Sequence, residues 1–286
     1  MPNPPVVLAV ASDIHAGSTV AICPPEVALD DGGAYKASKA QLWMWDCWKD
    51  FNAQVDEARQ SLGASLYYLF NGDMVDGNHH GTTQILSGNP NAQAAVVNAC
   101  MEIPLALKPE KIWMIRGTDA HVGQSACAEE RIADGLRRDK RPIVTEDRTG
   151  SASHWHAKAN FHGWRFDFAH HGRVGTRPWT KPNVVMNLAA EIFQDHAQVD
   201  FDRNQLPSAP HIAIRSHMHQ FVDTGNAHRT RVIQTPAWQL ATSFINRIAP
   251  GKLAEVGGVI IVIREGQPPE VRPILYKAEP VATWAA

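Results

Sequence analysis

A chain of 286 residues, 44% hydrophobic and 20% charged, is long enough for one large core and has the composition of a globular protein rather than a disordered or fibrous one. Its 27 lysines and arginines nearly balance 29 aspartates and glutamates, and a net charge of −2 excludes a polybasic nucleic-acid binder or an acidic tail as the dominant feature. Fourteen histidines are the first unusual count, and their positions carry more information than their number.

In chain order, Met1-Pro2-Asn3-Pro4-Pro5 has neither a basic segment nor a long apolar run, so no secretory signal is expected and a cytoplasmic location is. The longest apolar runs are strand-sized, which leaves no membrane span. Cys23, Cys47, Cys100 and Cys127 are far apart and form no CxxC pair, the pattern of reduced, buried thiols rather than a zinc knot or disulfide framework. Residues 6–12 (VVLAVAS) read as a buried strand that stops at Asp13. A long Gly/Pro/Asp-rich loop is expected from Gly17 to about Ala37. Residues 38–62 carry apolar side chains at helical spacing and end at Gly63, a plausible C-cap. The Trp43/Trp45/Trp48 cluster on that helix is read as packing rather than base stacking.

Residues 65–70 form a second expected strand, running into Asn71-Gly72-Asp73. A helix follows at 91–107, broken near Pro104, then a strand at 111–115, a helix at 125–138, and a strand at 164–169 that ends at His170-His171. A basic, proline-containing loop at 173–182 leads into a helix at 183–198. Strands at 211–214, 231–234, 257–264 and 271–276 make the section from about 205 β-rich. Alternating strands and helices argue for an α/β sheet, with the β-rich ending supplying a second sheet packed on the first. No linker divides the chain, so one domain over residues 1–286 is expected.

Five of these strands end in metal-binding side chains: Asp13-Ile14-His15, Gly72-Asp73, Gly117-Thr118-Asp119-Ala120-His121, His170-His171 and His217-Met218-His219. Ligands of open α/β sheets bind outside the carboxyl ends of the strands, so the five ends should converge on one crevice. Carboxylates mixed with imidazoles suit borderline divalent ions such as zinc, manganese, iron or nickel. Residues two apart share a face, so each Asp-x-His or His-x-His pair can serve one site. Two pairs and a central carboxylate exceed the needs of one tetrahedral ion, which points to two ions bridged by Asp73. Each element alone is more often an ordinary turn or surface histidine; the signal lies in their succession.

The series Asp13-x-His15, Gly72-Asp73-x-x-Asp76, a Gly117-centred element, His170 and His217-x-His219 resembles the calcineurin-like metallophosphoesterase superfamily over about residues 6–220. The resemblance implies a four-layer α/β/β/α sandwich and hydrolysis of phosphomonoesters or phosphodiesters with two divalent ions. It implies that Asp13, His15 and His219 hold the first ion, that Asp73 bridges, and that His170 and His217 hold the second. His171 is the second choice at its position. The family's Gly-Asn-His element is replaced here by Gly117-Thr118-x-x-His121. Thr118 or Asp119 is then the replacement oxygen ligand, and His121 the residue that protonates the leaving group or orients the phosphate. Gly77-Asn78-His79-His80 spells the absent motif but follows the wrong strand, and its histidines are assigned to the crevice wall at most. Arg116 and Arg173 are expected at the substrate, with Arg177 and Lys181 as weaker candidates, and Asp76 behind the ligands. His154, His156 and His162 precede their strand and are expected to be structural. The loops at 17–37 and 77–91 are expected to wall the crevice. The expected partner is a small phosphate ester, with no membrane. Metal-dependent cleavage of DNA or RNA and a non-catalytic metal- or phosphate-binding relative stay open as alternatives, and neither metal identity nor oligomeric state is readable.

Overall fold

The structure is a computed structural model in which residues 3–29, 31–79, 81–175, 177–203, 208–248 and 254–278 are described. Its elements in chain order are β1 (Val6–Ala11), β2 (Glu26–Ala28), β3 (Ala34–Lys36), α1 (Lys39–Leu62), β4 (Ser65–Asn71), α2 (Pro90–Ala106), β5 (Lys111–Ile115), α3 (Asp119–Val122), α4 (Cys127–Arg138), β6 (His156–Phe161) and β7 (Trp164–His171). They continue with α5 (Lys181–Asp202), β8 (Ile212–Ser216), β9 (Val222–Asp223), β10 (Arg231–Gln234), α6 (Ser243–Ile248), β11 (Val256–Ile263) and β12 (Glu270–Tyr276). Among the described residues no helix is long and apolar enough to cross a membrane.

One sheet has the order β12-β11-β1-β4-β5, the other β6-β7-β8-β10-β9. All six residues of β1 are buried, because the strand is covered on both faces. Val7, Ala9 and Ala11 pack with Met44, Trp48 and Phe51 of α1, Val96 and Val97 of α2, and Ile132 and Ala133 of α4. Val6, Leu8 and Val10 face the other way, onto Phe166 and Phe168 of β7, Ile212 and Ile214 of β8 and Ile233 of β10. Beyond the second sheet, Val185 and Ala189 of α5 cover Ala213, Val222 and Val232. The period-2 alternation of single strands thus stacks helix, sheet, sheet and helix, the four-layer α/β/β/α sandwich. The β-rich ending feeds both sheets: β8, β9 and β10 join the second, whereas β11 returns antiparallel to β1 in the first.

Local chemistry explains the boundaries. Ser38 and Gln41 form a capping box at the start of α1, and Gly63 closes it with left-handed φ of 57°. Pro104 lies in the last turn of α2 and leaves the Cys100 carbonyl without its helical donor, and Trp48 Nε1 donates to that carbonyl instead. The expected loop at 17–37 contains the small β2/β3 hairpin. Strand β6, unexpected from sequence, is joined to β7 by the two-residue turn His162-Gly163, with φ of 52° and 86°, which suits the twist of a tight hairpin. Trp48 is buried and its Nε1 donates to the Cys100 carbonyl at 2.9 Å, so the tryptophan helix is core packing. The four cysteines are free thiols; three are buried and Cys127 is exposed.

Candidate metal centre

The carboxyl ends of β1, β4, β5, β7 and β8 meet at one end of the sandwich. Beyond the strands the backbone keeps pairing: Asp13 N donates to Gly72 O, His15 N to Asp73 O and Ala16 N to Met74 O, at 2.9, 2.9 and 3.0 Å. Asn71 Nδ2 donates to Ala169 O (3.1 Å) and Ser216 Oγ (2.6 Å), tying the two sheets together at this edge. Five side chains there sit on left-handed backbone, Asp13 (φ 53°), His15 (47°), Asp73 (53°), His217 (75°) and His219 (54°). Non-glycine residues in that region cost about 1 kcal/mol or more each and persist where the surroundings over-determine them. A strand end that turns back on itself in this way aims its side chains past the sheet edge.

Three groups of three result, Asp13/His15/His219, Asp73/His170/His217 and His15/Asp76/His121, each offering ligand atoms within 4.8 Å of one another, and the first two take in all the expected ligands but Asp119. In the first, Nε2 of His15 and Nε2 of His219 are 3.1 Å apart. Imidazole ligands at about 2.0–2.1 Å from one ion have roughly this separation. Asp13 Oδ1 is 3.3 Å from His219 Nε2 and 3.9 Å from Nε2 of both His15 and His170. This oxygen is buried and has no hydrogen-bond partner, whereas its twin Oδ2 accepts from Ser12 Oγ and His217 N. In the second group, Asp73 Oδ2 is 3.1 Å from His170 Nε2, and Asp73 Oδ1 accepts from Thr118 N at 2.6 Å. His170 Nδ1 donates to Asn71 O (2.7 Å) and His15 Nδ1 pairs with Asp76 Oδ1 (3.0 Å), so each ring is oriented with its Nε2 left for an ion.

The charges make the same case. Burial pushes the Asp13 carboxyl up, but the charges of His170 and His219 outweigh it and hold it at about 2. Asp73 and Asp76 are likewise depressed against burial, by His170 and His15 respectively. Conversely, burial works against the charged form of His170, yet Asp73 and Asp13 raise it to about 10. Without an ion, a buried cluster of three carboxylates is balanced only by protonating its histidines. Divalent cations supply that balance and leave the rings neutral, as ligands must be. The orphaned Asp13 oxygen, the facing nitrogens and the excess negative charge fit a metal centre.

The replaced motif element is resolved by backbone rotation. Thr118 faces inward, its Oγ1 3.1 Å from His217 Nδ1. Asp119 opens α3, is exposed, and belongs to none of the three groups, because a step of about 100° at a helix start turns it away when Thr118 points in. His121, two residues further on, returns to the site: its ring centroid lies 4.5 Å from that of His15 and its Nδ1 donates to Asp76 O at 2.9 Å. Burial, and next His15, lower its pKa to about 4, so at neutral pH it offers an acceptor Nε2 rather than an acidic proton. Asp76 is the hub of this side, 3.0 Å from His15 Nδ1, 3.6 Å from His79 Nε2 and 3.2 Å from Gln239 Nε2. His79 stacks edge-on with His121; His80 lies outside the described residues. His170 continues the inward face of Phe166 and Phe168 and is buried, whereas His171 is exposed, 5.1 Å from the His217 ring.

The expected substrate arginines sit elsewhere. Arg116 is directed to a separate crevice, bonded to Ser153 Oγ (2.9 Å), Ser151 Oγ (2.7 Å) and Glu130 (3.2 Å), since strand alternation sets it opposite Gly117. Arg173 is exposed and paired with Glu191 on α5 at 2.8 Å. Arg177 lies over the Trp179 ring, and Lys181 is bound to Glu255. His154 and His162 are hydrogen bonded to backbone carbonyls, and His156 pairs with Asp167. The Arg116 network has a measurable consequence. Burial opposes the charged form of Glu130, but hydrogen bonds led by that of Ser153 hold it at about 2, below an unfolded value of about 4.5. Its contribution is therefore fully present above about pH 4.5 and is lost as pH falls toward 2. Glu130→Gln is expected to lower the urea midpoint at pH 7, with the gap to the parent protein narrowing between pH 4.5 and 3; a gap independent of pH would contradict this.

Glu129, wholly buried one residue earlier on α4, accepts from Gly117 N and Met74 N (3.1 Å), joining the loops that follow β4 and β5. Burial, and next the charge of Asp73, push its carboxyl up to about 8. Two glycines allow those loops to meet. A Cβ on Gly72 would strike the His170 ring, and one on Gly117 would strike Asp73 Oδ1 and the Asp73 backbone nitrogen.

A cavity of about 320 Å³ lies over both ligand groups, lined on one side by His15, Asp73, His217 and His219 with Asp76, His79 and His121. Sequence reasoning missed Gln239, Glu129 and the apolar residues that complete this cavity, and no motif or strand-end signal marks them. A larger cavity of about 650 Å³ between α2 and α4 shares His121 with it. Of the expected wall loops, 77–91 supplies His79 to the cavity, whereas 17–37 contributes no lining residue; the two are joined to each other and to the segment at 240–243 where Ser18 pairs with Ile85, Leu240 N donates to Val20 O (2.9 Å) and Ser243 N donates to Gln84 Oε1 (2.6 Å).

No family model matches the chain, and no curated protein matches it. Solved structures similar to it include Vps29 of Chaetomium thermophilum, at 9% identity over 95% of this chain and 98% of that one, with a TM-score of 0.41. The phosphoesterase YfcE of E. coli matches at 14% identity over 91% and 93%, with a TM-score of 0.37. A 5'-nucleotidase precursor from Thermus thermophilus matches at 13% identity over 95% of this chain and 54% of that one, with a TM-score of 0.40. The strand-end motifs and the four-layer sandwich together resemble the calcineurin-like metallophosphoesterase superfamily.

Proposed function

We propose that the chain is a metal-dependent phosphoesterase of this type, hydrolysing a phosphomonoester or phosphodiester with two divalent ions. Asp13, His15 and His219 would hold one ion, His170 and His217 the other, with Asp73 between them. The observation that carries the reading is the buried, unpartnered Asp13 Oδ1 facing imidazole nitrogens whose opposite ring positions are hydrogen bonded. Such ions, when bound, supply positive charge against the phosphoryl oxygens and make water a nucleophile at neutral pH.

The chain's own groups do the rest. Asp76 fixes the His15 ring and, through its carbonyl, the His121 ring. His121 Nε2 then faces the cavity as an acceptor, placed to orient a protonated phosphoryl oxygen or the attacking water rather than to protonate a leaving group. Thr118 holds Asp73 through its N–H and His217 through its hydroxyl, so at this position the chain would orient two ligands where the family pattern has an asparagine ligand. Among the described residues no basic groove borders the cavity, which disfavours a nuclease.

The test is metal analysis of protein purified with manganese or zinc, together with turnover of p-nitrophenyl phosphate and its diester. Two ions per chain and hydrolysis that a chelator abolishes and added metal restores are the expected result. One ion or none, with no hydrolysis of either ester, would establish the non-catalytic relative instead.

A further inference from the structure

The turn that carries His217 and His219 is held at its two ends by different partners. At the His217 end, His217 N donates to Asp13 Oδ2 at 3.3 Å and the ring Nδ1 lies 3.1 Å from Thr118 Oγ1. At the other end stands Glu255, the residue before β11. Its backbone N–H donates to the His219 carbonyl at 3.3 Å, and its carboxylate accepts from Phe221 N, two residues beyond His219. The second carboxylate oxygen accepts from Lys181 Nζ at 2.6 Å, and Lys181 is the first residue of α5. Hydrogen bonds to an ionised group are about twice as strong as neutral ones, so a carboxylate shared by an ammonium and a backbone N–H is a firm anchor. Glu255 is itself tied to the sheets: Ala237 N donates to its carbonyl at 3.0 Å, and the next residue, Trp238, donates from N to Asp13 O at 3.0 Å. One side chain thus joins the helix outside the second sheet, the strand that closes the first sheet, and the turn between β8 and β9.

The anchor matters because of the backbone it holds. His217 and His219 both have left-handed φ, 75° and 54°, a strained conformation that persists where the surroundings fix it. Thr118 and Asp13 fix His217 directly, whereas Glu255 acts on His219 from its carbonyl side and through Phe221. Resting on the two-ion phosphoesterase reading, we infer that Glu255, set by Lys181, is a positioning residue for His219 and so for the ion that Asp13, His15 and His219 would hold. The ion at His170 and His217 depends on Thr118 instead. Lys181, expected at the substrate from its place in the sequence, then acts on the centre through Glu255.

Zinc binding, measured by competition with a metallochromic indicator, tests this in the parent protein and in Glu255→Ala, each with and without His219→Ala. With His219 present, Glu255→Ala is expected to raise the Kd of one ion by at least about tenfold and to leave the other within about twofold. With His219→Ala, the ligand that Glu255 acts through is gone, and Glu255→Ala is expected to change the remaining affinity by less than about twofold. Lys181→Met, which leaves the Phe221 bond in place, is expected to weaken the same ion by about threefold or more. Thermal melts of metal-free protein identify the variants that fold, and Lys181→Met carries the same comparison if Glu255→Ala does not. Affinities unchanged in the folded variants, both ions weakened alike, or an equal loss in the His219→Ala background would overturn the inference and leave the two-ion reading standing. A parent protein that binds fewer than two zinc ions would overturn that reading and this inference with it.

Discussion

Asp73→Asn is expected to lose bound metal and turnover together, with kcat/KM falling by at least about a thousandfold. The substitution is nearly isosteric. An amide oxygen at Oδ1 can still accept from Thr118 N, so the local fold survives and the missing property is the negative charge that faces His170 at 3.1 Å and that the proposed ions would require. A stability measurement separates loss of the centre from misfolding. A ligand present at a hundred times its Kd stabilises the native state by about 2.7 kcal/mol, so saturating metal should raise the parent protein's Tm by about 5 °C or more. The variant's Tm should match that of the metal-free parent within a few degrees and should not respond to metal. Full activity in the variant would remove Asp73, and with it the two-ion arrangement, from the proposal.

The second large effect is expected from Gly117→Ala, a change that touches no charge and no proposed ligand. Its Cβ would overlap the Asp73 carboxylate and the Asp73 backbone nitrogen, neither of which is the free end of a flexible side chain. Relief requires moving the loop after β5 away from the loop after β4, against the clamp in which Glu129 accepts from both Gly117 N and Met74 N. Overpacking of this kind costs about 1–3 kcal/mol, and the displacement falls on Asp73. Metal affinity should drop by at least about tenfold, with Tm lowered in metal-free protein as well. Metal binding equal to the parent's would show that the loops yield without disturbing Asp73.

The positions of the ligand candidates follow from local pattern. Asp13 and His15 stand out because a run of six apolar residues ends at Ser12 just before them, and a strand buried on both faces releases its polar residues at the sheet edge. His170 is separable from His171 by strand alternation alone, as Phe166 and Phe168 already face inward. Other features depend on rotations and partners that spacing does not encode. Asp119 looks like an oxygen ligand in sequence, but one residue of helical turn moves it to the surface and brings Thr118 in. Arg116 immediately precedes the motif glycine, yet its partners Glu130 and Ser151 come from 14 and 35 residues away.

By itself the sequence determined the alternation of strands and helices, the strand ends at which acidic and imidazole groups gather, and a near-neutral balance of charge. Those are short-range properties, set by the period of apolar residues and by where each run stops. Only the tertiary structure decided that Asp13 Oδ1 would be left without a partner, that Glu129 would clamp two loops, and that an apolar wall from 240–245 would close the cavity. The wall faces Asp13 and His15 across more than two hundred residues of chain, because β11 returns to pair with β1 and carries the preceding segment back over the site. Contacts of that range are fixed by how two sheets pack and which strand closes the first, and no local period records them.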